Sequence, residues 1–477
     1  MNQCNEVTGS VLRRNLDSDV ANAAAAVLER AGMSAAAAAA KGELFERVRR
    51  TMDAVAGPRK DEVRAYFVPG RLEVLGKHTD YAGGRSLLCT VERGICAMAV
   101  AHEHSRVRMV DAADGSTVSF AVDPALLSAD GPWSNYPMTV ARRVARNFPG
   151  ARRGADIAFI SDLPRASGMS SSSALMIATF LAIADANRLE RTDAYRREIR
   201  TCEDLAGYLA TIENGQDFGS LTGERGVGTF GGSEDHVAIL CCRPGEMSQY
   251  AFCPVRHERK VPLPAGYVFV IGVSGVAAEK TGAARERYNR AAAATSVILT
   301  LWRAATGRED VSVGAALDQH PDTAARIRDI LRGSDDPSFP RQVLVDRLEQ
   351  FVAETSVIIP AVGDLIARNE IDGIGPLVDS SQAAAERLLG NQIPETIALT
   401  RSARTRGAVA ASAFGAGFGG SVWALVPIEE AAAFEARWAG EYRKQFPAAA
   451  GEFFSTRPGP PALVIDDFRS GDCRFIS

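Results

Sequence analysis

The chain has 477 residues, of which 46% are hydrophobic and 23% charged, and its formal net charge is -4. These are ordinary values for a soluble globular protein, and the length exceeds what one hydrophobic core usually holds, so we expect two domains. Because the charge is balanced and forms no basic stripe, nucleic acid and anionic membranes are excluded as expected partners, and small molecules are favoured.

The eight cysteines form no Cys-x-x-Cys pair and have no spaced histidine partner of the kind that zinc sites show. We interpret them as reduced, mostly buried thiols. The N-terminus carries Glu6, Arg13 and Arg14 where a signal peptide needs an apolar core, and we find no apolar run of the roughly 18 residues that a membrane span requires. A cytoplasmic protein without a membrane segment is therefore expected.

Residues 1–40 are rich in alanine, which favours helix. We predict a helical extension that packs on the rest of the protein, with a disordered tail as the alternative.

From Val63 onward the pattern alternates strands and helices. Strands are predicted over 63–70, 86–103, 106–112 and 155–164, and helices over 133–148 and 173–189. Several of these strands neighbour one another as hairpins rather than as uniform βαβ units, which favours a mixed-sheet α+β domain.

A turn-forming stretch, 261-VPLPAG-266, marks a domain boundary. The predictions beyond it are strands over 266–274 and 421–427 and long helices over about 281–305, 342–369 and 381–405. The predicted organisation is an extension over 1–40, an N-terminal domain over 41–262 and a C-terminal domain over 263–477.

The first segment that suggests chemistry is 69-PGRLEVLGKHTDYAGG-84, which we call the signature segment. It is not a Walker A loop, because Gly70 and Gly76 have five residues between them instead of four. Its hydrogen-bonding side chains are Arg71, Lys77, His78, Asp80 and Tyr81. Mixed donors and acceptors of this kind suit a polyhydroxylated ligand, and a solvated polar turn is the alternative.

The second segment, the serine loop, is 162-DLPRASGMSSSSALM-176. It leaves a strand and opens a helix with a serine-rich first turn, where free N–H groups and the helix dipole favour an anion. The third, the glycine loop, is 411-ASAFGAGFGGSVWAL-425, whose four glycines allow the backbone a close approach. Capping alone is the alternative for the serine loop, and the glycine loop is a weak signal by itself.

In this order, the three segments resemble the motifs of the GHMP small-molecule kinases. The signature segment is similar to the galactokinase branch, whose pattern is Gly-Arg-Val-Asn-Leu-Ile-Gly-Glu-His-Thr-Asp-Tyr. The resemblance implies a two-domain GHMP kinase fold with a mixed-sheet N-terminal domain and a ferredoxin-like C-terminal α+β domain. It implies an enzyme that binds a small-molecule sugar and ATP, requires Mg²⁺, and phosphorylates the anomeric C1 hydroxyl of a galactose-like hexose, with ADP as the other product.

The resemblance also implies roles for single residues. Asp235, in 231-GGSEDH-236, matches the position of the general base, with Glu234 as its rival, and Arg71 would hold that aspartate ionised. Lys77, His78, Asp80 and Tyr288 would bind the sugar. Gly168, Ser170, Ser171, Ser172 and Ser173 would bind the ATP phosphates. Ser171 or Ser172, together with Glu213 in 211-TIENG-215, would bind Mg²⁺.

One position departs from the galactokinase pattern, because Lys77 stands where that pattern has a glutamate. A cation there suits a sugar with a carboxylate at C6, so a galacturonate-type 1-kinase is an alternative, unless Lys77 turns away or pairs with an acid. A second alternative is a catalytically inactive sugar and ATP sensor. The presence of Arg71, Glu213 and Asp235 argues against the sensor. The sequence leaves the oligomeric state open.

Overall fold

A computed structural model describes most of the chain. The described residues are 20–56, 63–127, 133–278, 282–449, 451–467 and 472–476. Residues 1–19 of the predicted extension therefore lie outside the described residues.

The helices and strands alternate along the chain. The strands are β1 (Val63–Leu75), β2 (Arg85–Ala101), β3 (Arg106–Asp111), β4 (Thr117–Ala121), β5 (Ala155–Ser161), β6 (Glu246–Ala251), β7 (Arg256–Pro262), β8 (Tyr267–Val273), β9 (Ala410–Phe414), β10 (Ser421–Pro427), β11 (Phe453–Thr456), β12 (Leu463–Asp467) and β13 (Asp472–Phe475). The helices are α1 (20–30), α2 (Ala35–Ala56), α3 (Asn135–Asn147), α4 (Ser171–Asn187), α5 (Asp193–Glu198), α6 (Cys202–Asn214), α7 (Glu234–Cys241), α8 (Gly282–Thr306), α9 (Val313–Leu317), α10 (Thr323–Gly333), α11 (Arg341–Val352), α12 (Ile359–Ala367), α13 (Ile374–Ala384), α14 (Pro394–Thr405) and α15 (Ala431–Gln445). Short 3₁₀ turns cover Asp80–Ala82, Leu189–Arg191, Ile371–Gly373 and Ile428–Glu430, and π-helical segments cover Ala353–Ile358 and Ala385–Leu389.

Each strand and helix predicted from the sequence pattern has a counterpart in the structure, with shifts at the ends. The largest difference is at 381–405, where the predicted single helix is the end of α13, a π-helical segment and α14. Gly390, with a φ of 66°, and Pro394 separate these pieces, because a left-handed glycine ends a helix and a proline begins the next one.

The described part of the chain forms two sheets. The larger has nine strands in the order β13-β12-β1-β2-β5-β3-β4, with β6 paired to β2 and β7 paired to β6. Its β3–β5 pair is parallel and its other pairs are antiparallel, so the predicted mixed sheet is confirmed. The smaller sheet is antiparallel in the order β11-β8-β10-β9.

Both faces of the larger sheet are covered. Tyr66 and Val68 of β1 join the cluster that contains Ile177 of α4, whereas Phe67 joins the cluster that contains Phe45 of α2. Successive strand residues point to opposite faces, so α2 and α4 lie on opposite sides of the sheet. Helices α1 and α2, which come largely from the alanine-rich stretch, thus form a packed layer.

The end of the chain returns to the first sheet. Strand β12 pairs with β1, and β13 pairs with β12. The predicted boundary near residue 262 lies between β7 and β8, and the strands β12 and β13, which follow the smaller sheet along the chain, belong to the larger sheet. The pairing covers an edge of β1 that would otherwise expose unpaired N–H and C=O groups.

One helical stretch bears on the expectation that the chain has no membrane segment. The continuous stretch Arg341–Ala367 is long and apolar enough to cross a membrane by length and composition. Half of its most apolar part is buried inside the protein, and its buried polar residues include Arg347, Gln350 and Glu354. Burial of this kind is typical of a core helix.

An ion pair between a buried lysine and a half-buried aspartate ties α2 to the beginning of the serine loop. Lys41 is 2% exposed and contacts the carboxylate of Asp162, which also accepts a hydrogen bond from the backbone N–H of Gly94 at 2.8 Å. Removing one partner of a buried pair leaves the other charge poorly compensated.

We expect Lys41→Ala to lower the free energy of unfolding by about 2 kcal/mol, because it removes the charge partner of Asp162 and the packed lysine stem. Urea denaturation measures the change. The matched control is Lys444→Ala on the exposed face of α15, which we expect to shift stability by less than about 0.5 kcal/mol. Equal effects of the two substitutions would contradict a structural role for the Lys41–Asp162 pair.

Candidate active site

The three segments singled out in the sequence meet at one place. Arg71 of the signature segment donates from its backbone N–H to the Met169 carbonyl at 3.2 Å and from its guanidinium to the Gly168 carbonyl at 2.6 Å. Ser421, at the end of the glycine loop, donates to the Ser167 carbonyl at 2.7 Å. The serine loop therefore lies between the other two segments.

A cavity opens where these segments meet. It is lined by Arg71, Glu73, His78, Asp80, Glu213, Gly231, Gly232, Glu234, Asp235, Tyr288, Gly415 and Ala416. Seven of these are acids, an arginine or a histidine, and they come from three separate parts of the chain.

Arg71 and Asp235 form the central ion pair of the cavity. Arg71, which is 4% exposed, donates from Nε to Oδ1 of Asp235 at 2.8 Å and from NH2 to the same oxygen at 2.7 Å. Burial alone lowers the pKa of Arg71, but the carboxylates of Asp235, Glu234 and Glu73 outweigh it, so the pKa is raised and the guanidinium stays charged. A permanent cation beside Asp235 favours its ionised form.

The serine loop has strained backbone at its tip. Ala166, Gly168 and Ser170 all have positive φ, at 49°, 80° and 58°, and Ser170 is the N-cap of α4. Non-glycine residues in the left-handed region cost on the order of 1 kcal/mol each and concentrate at ligand-binding loops. Ser171 and Ser172 are half-buried in the first turn of α4.

Ser173 is the serine that reaches the acidic residues. Its buried hydroxyl donates to Oε2 of Glu213 at 3.0 Å and lies 3.4 Å from Oδ2 of Asp235. Glu213 is near the end of α6, and Asp235 is in the first turn of α7. The predicted phosphate loop, metal ligand and base are thus neighbours, and Ser173 is their link.

The oxygen-rich corner at Glu213 suits a magnesium ion that ATP brings with it. Mg²⁺ is usually held by one or two carboxylates together with substrate phosphates and water, not by an all-protein cage. In the described part of the chain, no group of three or more His, Cys, Asp or Glu side chains could hold a metal ion by itself. One carboxylate beside a serine-rich helix start fits a metal shared with phosphates.

One side of the cavity is built by the 3₁₀ turn at Asp80. Asp80 is 8% exposed and accepts a hydrogen bond from the backbone N–H of Glu234 at 3.1 Å. A Cβ atom on Gly232 would lie 2.5 Å from Oδ2 of Asp80, so only glycine allows this close approach. The ring of Tyr288 lies 5.0 Å from that of His78, measured between centroids.

His78 is held by protein groups on both sides of its ring. Nε2 lies 3.0 Å from the Ala416 carbonyl, and Nδ1 lies 2.8 Å from the Tyr81 hydroxyl. Because a carbonyl can only accept, Nε2 carries the proton, and in the neutral ring Nδ1 accepts from Tyr81. His78 lines the cavity, but these contacts make it a link between the signature segment and the glycine loop.

The structure does not bring Lys77 into the cavity. Its side chain is 1% exposed, and Nζ donates to Ser412 at 2.7 Å and to Ser381 at 3.2 Å. The left-handed φ of 59° at His78 turns the chain sharply, so that residues 77 and 78 face different surroundings. Lys77 is packed behind the site, against the C-terminal half of the chain.

Two carboxyls in the cavity were not predicted as ligand-binding groups. Glu73 accepts from the Gly415 N–H at 3.2 Å, and Glu234 accepts from the Ser86 hydroxyl at 2.7 Å. Burial raises the pKa of Glu73 to about 7, with Arg71 offsetting only part of the effect, and burial and the charge of Glu73 raise the pKa of Glu234. The two-residue repeat of side-chain direction in a strand could have identified Glu73, because Glu73 lies two residues after Arg71 on the same face of β1.

Comparisons with known proteins agree with this arrangement. Residues 135–219 match the family model of the GHMP kinases N terminal domain, and residues 57–101 match the galactokinase galactose-binding signature. The first match contains the serine loop and Glu213, and the second contains Arg71, His78 and Asp80. The resemblance that the motifs predicted is confirmed.

Relatives and solved structures are similar along most of the chain. The galactokinase of Glaesserella parasuis serovar 5 is 26% identical over 382 residues, which cover 80% of this chain and 89% of the relative. The galactokinase of Enterococcus faecalis is 22% identical over 414 residues, which cover 85% and 94%. The crystal structure of Lactococcus lactis galactokinase complexed with galactose superposes with a TM-score of 0.70 at 22% identity and covers 87% of this chain and 97% of that one. The predicted GHMP kinase fold is confirmed.

The raised pKa of Glu73 predicts how stability depends on pH. The folded state binds the Glu73 proton more tightly than the unfolded state, in which the pKa of this side chain is near 4.5. Protonated Glu73 therefore contributes to stability below about pH 4.5, and this contribution is lost as the pH rises through about 7. We expect the uncharged Glu73→Gln variant to be more stable than the wild type at pH 8 by on the order of 2 kcal/mol, and to gain little at pH 4.5.

Thermal and urea unfolding of both proteins across this pH range test the prediction. A difference in stability that stays constant from pH 4.5 to 8 would show that Glu73 carries its charge in the folded protein without penalty.

Proposed function

We propose that this chain, which combines the GHMP kinase fold with a galactokinase galactose-binding signature, transfers the γ-phosphoryl group of ATP to the C1 hydroxyl of a galactose-like hexose. The products are the sugar 1-phosphate and ADP. The observation that carries the proposal is the Arg71–Asp235 ion pair, which lies where the signature segment meets the serine loop. Acceptor and phosphoryl donor would meet there.

Asp235 is the group suited to take the proton from the attacking hydroxyl. Phosphoryl transfer depends mainly on positioning and on spreading charge, with a carboxylate near the acceptor. An anomeric hydroxyl is more acidic than an ordinary alcohol, which lessens the mismatch with an aspartate base. Glu234 is less suited to the role, because burial and the charge of Glu73 raise its pKa and its carboxyl already accepts a hydrogen bond from Ser86.

Arg71 serves the reaction through its fixed charge. Its guanidinium binds both the Asp235 carboxylate and the Gly168 carbonyl, so it lies between the base and the serine loop. From there it keeps Asp235 ionised and offsets negative charge that develops on the attacking oxygen. Its contacts with the Asp235 carboxylate and the Gly168 carbonyl fix this position.

The serine loop is suited to the phosphates of ATP, and Gly168 and Ser170 to Ser173 are the residues that would hold them. Glu213, with a serine of this loop, would hold Mg²⁺, which neutralises charge on the β- and γ-phosphates when bound. Ser173 orients Glu213 by donating to its carboxylate. We propose both the requirement for Mg²⁺ and a role for Ser171 or Ser172 as its serine ligand.

The charge of the cavity favours a neutral sugar over a uronic acid. Glu73, Asp80 and Glu234 lie on its walls, and the cation Lys77 is packed outside it. The arginine on the cavity wall, Arg71, is already paired with Asp235, so a substrate carboxylate would lie against acidic groups and compete with Asp235 for that cation. Asp80 and Tyr288 are the groups suited to bind hydroxyls of a neutral sugar.

The inactive sensor remains the alternative from a different class of protein. A sensor would bind sugar and ATP without releasing ADP. The ion pair of Arg71 with Asp235 and the contact of Ser173 with Glu213 assemble groups needed for transfer rather than for binding alone, which favours an enzyme.

The first experiment measures ADP release from Mg·ATP with a panel of hexoses, hexosamines, uronic acids and deoxy sugars. We expect kcat/KM for galactose to exceed that for galacturonate by at least about 100-fold, because Arg71, the cation on the cavity wall, is already paired with Asp235. Lys77→Met should leave this preference unchanged within about twofold. Loss of activity on galacturonate in Lys77→Met would restore the uronic-acid alternative, and binding of sugar and ATP without ADP release would favour the sensor.

Asp235→Asn keeps the shape of the side chain and removes the base. We expect kcat to fall by about 10²- to 10⁴-fold with little change in the KM for ATP, since a general base contributes factors of this size. Steady-state kinetics measures both constants. The matched control is Asp364→Asn, whose side chain lies in an exposed ion pair. If Asp235→Asn retains turnover within a few-fold of the wild type, another group is the base.

A further inference from the structure

A polar face on the helix α11 and its π-helical continuation packs against the signature segment. Arg347, Gln350 and Glu354 are spaced i, i+3 and i+7, which places them on one side of the helix. Each is buried, with at most 2% of its surface exposed. Burying three polar side chains on one face is unfavourable unless each has a fixed partner.

The partners are backbone groups of three successive residues of the signature segment. Oε1 of Glu354 accepts from the Gly76 N–H at 2.9 Å, Nε2 of Gln350 donates to the Lys77 carbonyl at 3.1 Å, and Arg347 donates to the His78 carbonyl. These contacts depend on the backbone and not on the side chain of residue 77. The helix therefore holds the turn even though the galactokinase glutamate is replaced by lysine.

Arg347 also begins a directed chain of hydrogen bonds. The Arg347 guanidinium donates to the Tyr81 hydroxyl at 3.3 Å. Tyr81 in turn donates to Nδ1 of His78, and Nε2 of His78 donates to the Ala416 carbonyl. Burial raises the pKa of Tyr81 to about 12, so its hydroxyl keeps the proton that it donates. The chain connects the helix, the signature segment and the glycine loop.

We propose that Arg347, Gln350 and Glu354 are positioning residues that set the geometry of the sugar-binding turn from the C-terminal half of the protein. They touch neither sugar nor ATP; they hold residues 76–78, and thereby Asp80, in the binding arrangement. The left-handed φ of His78 at 59° is a conformation that surrounding contacts must hold in place. The inference rests on the proposed function only in assigning this turn to the sugar.

The test uses two substitutions at one position. Glu354→Met removes the acceptor for the Gly76 N–H, whereas the amide oxygen of Glu354→Gln can still accept it. We expect Glu354→Met to raise the KM for galactose roughly tenfold, with kcat and the KM for ATP within about twofold of the wild type, and Glu354→Gln to restore most of the affinity. Gln342→Met, on the exposed side of the same helix, is the matched control and should change nothing.

Amide hydrogen exchange tests the proposal independently of turnover. In the free protein, Glu354→Met should speed exchange over residues 76–84 and leave residues 167–174 unchanged, and Glu354→Gln should resemble the wild type. Should Glu354→Met not fold, Gln350→Met is expected to produce the same pattern. An unchanged sugar KM or unchanged exchange over 76–84 in a folded variant would overturn the positioning role. Absence of sugar phosphorylation by the wild type would overturn only the proposed function.

Discussion

The arrangement of the site depends on one buried cation, the guanidinium of Arg71. A buried charge is tolerated only when it is paired and hydrogen-bonded, and Arg71 meets this condition by binding Asp235 and the Gly168 carbonyl at once. Its five N–H donors in a fixed fork let it hold a carboxylate and a backbone group in different directions. Strand β1, the serine loop and helix α7 therefore meet at a defined geometry.

The same cation makes an acid-rich cavity possible. Glu73 and Glu234 lie near Asp235 and would repel it if all three were ionised. Burial raises the pKa of Glu73 and Glu234, which favours their uncharged forms and lessens that repulsion, while Asp235 lies closest to Arg71. Neighbouring carboxyls with different environments can thus have different roles, which is how one site can hold both hydroxyl-binding groups and a base.

Parts of the chain that carry none of this chemistry support it from outside. Helices α1 and α2 cover one face of the larger sheet, and Lys41 ties that layer to Asp162 at the start of the serine loop. On the other side, the face of α11 holds the backbone of the signature segment. Rigid neighbours on both sides keep the loops in place, because loops alone have too few packed contacts to hold a geometry.

Short-range patterns in the sequence predicted the strands and helices, the mixed sheet and the three loops, because hydrophobic period, turn residues and motif spacing are local properties. The candidate roles of Arg71, Glu213 and Asp235 came from the resemblance of these segments to the GHMP kinase motifs. Only the tertiary structure decided that Lys77 is turned away from the cavity, that Ser173 links Glu213 to Asp235, and that β12 returns to β1. The direction of a side chain and the partner of a strand depend on packing between residues distant in sequence, and a left-handed turn such as that at His78 changes the direction without changing the motif.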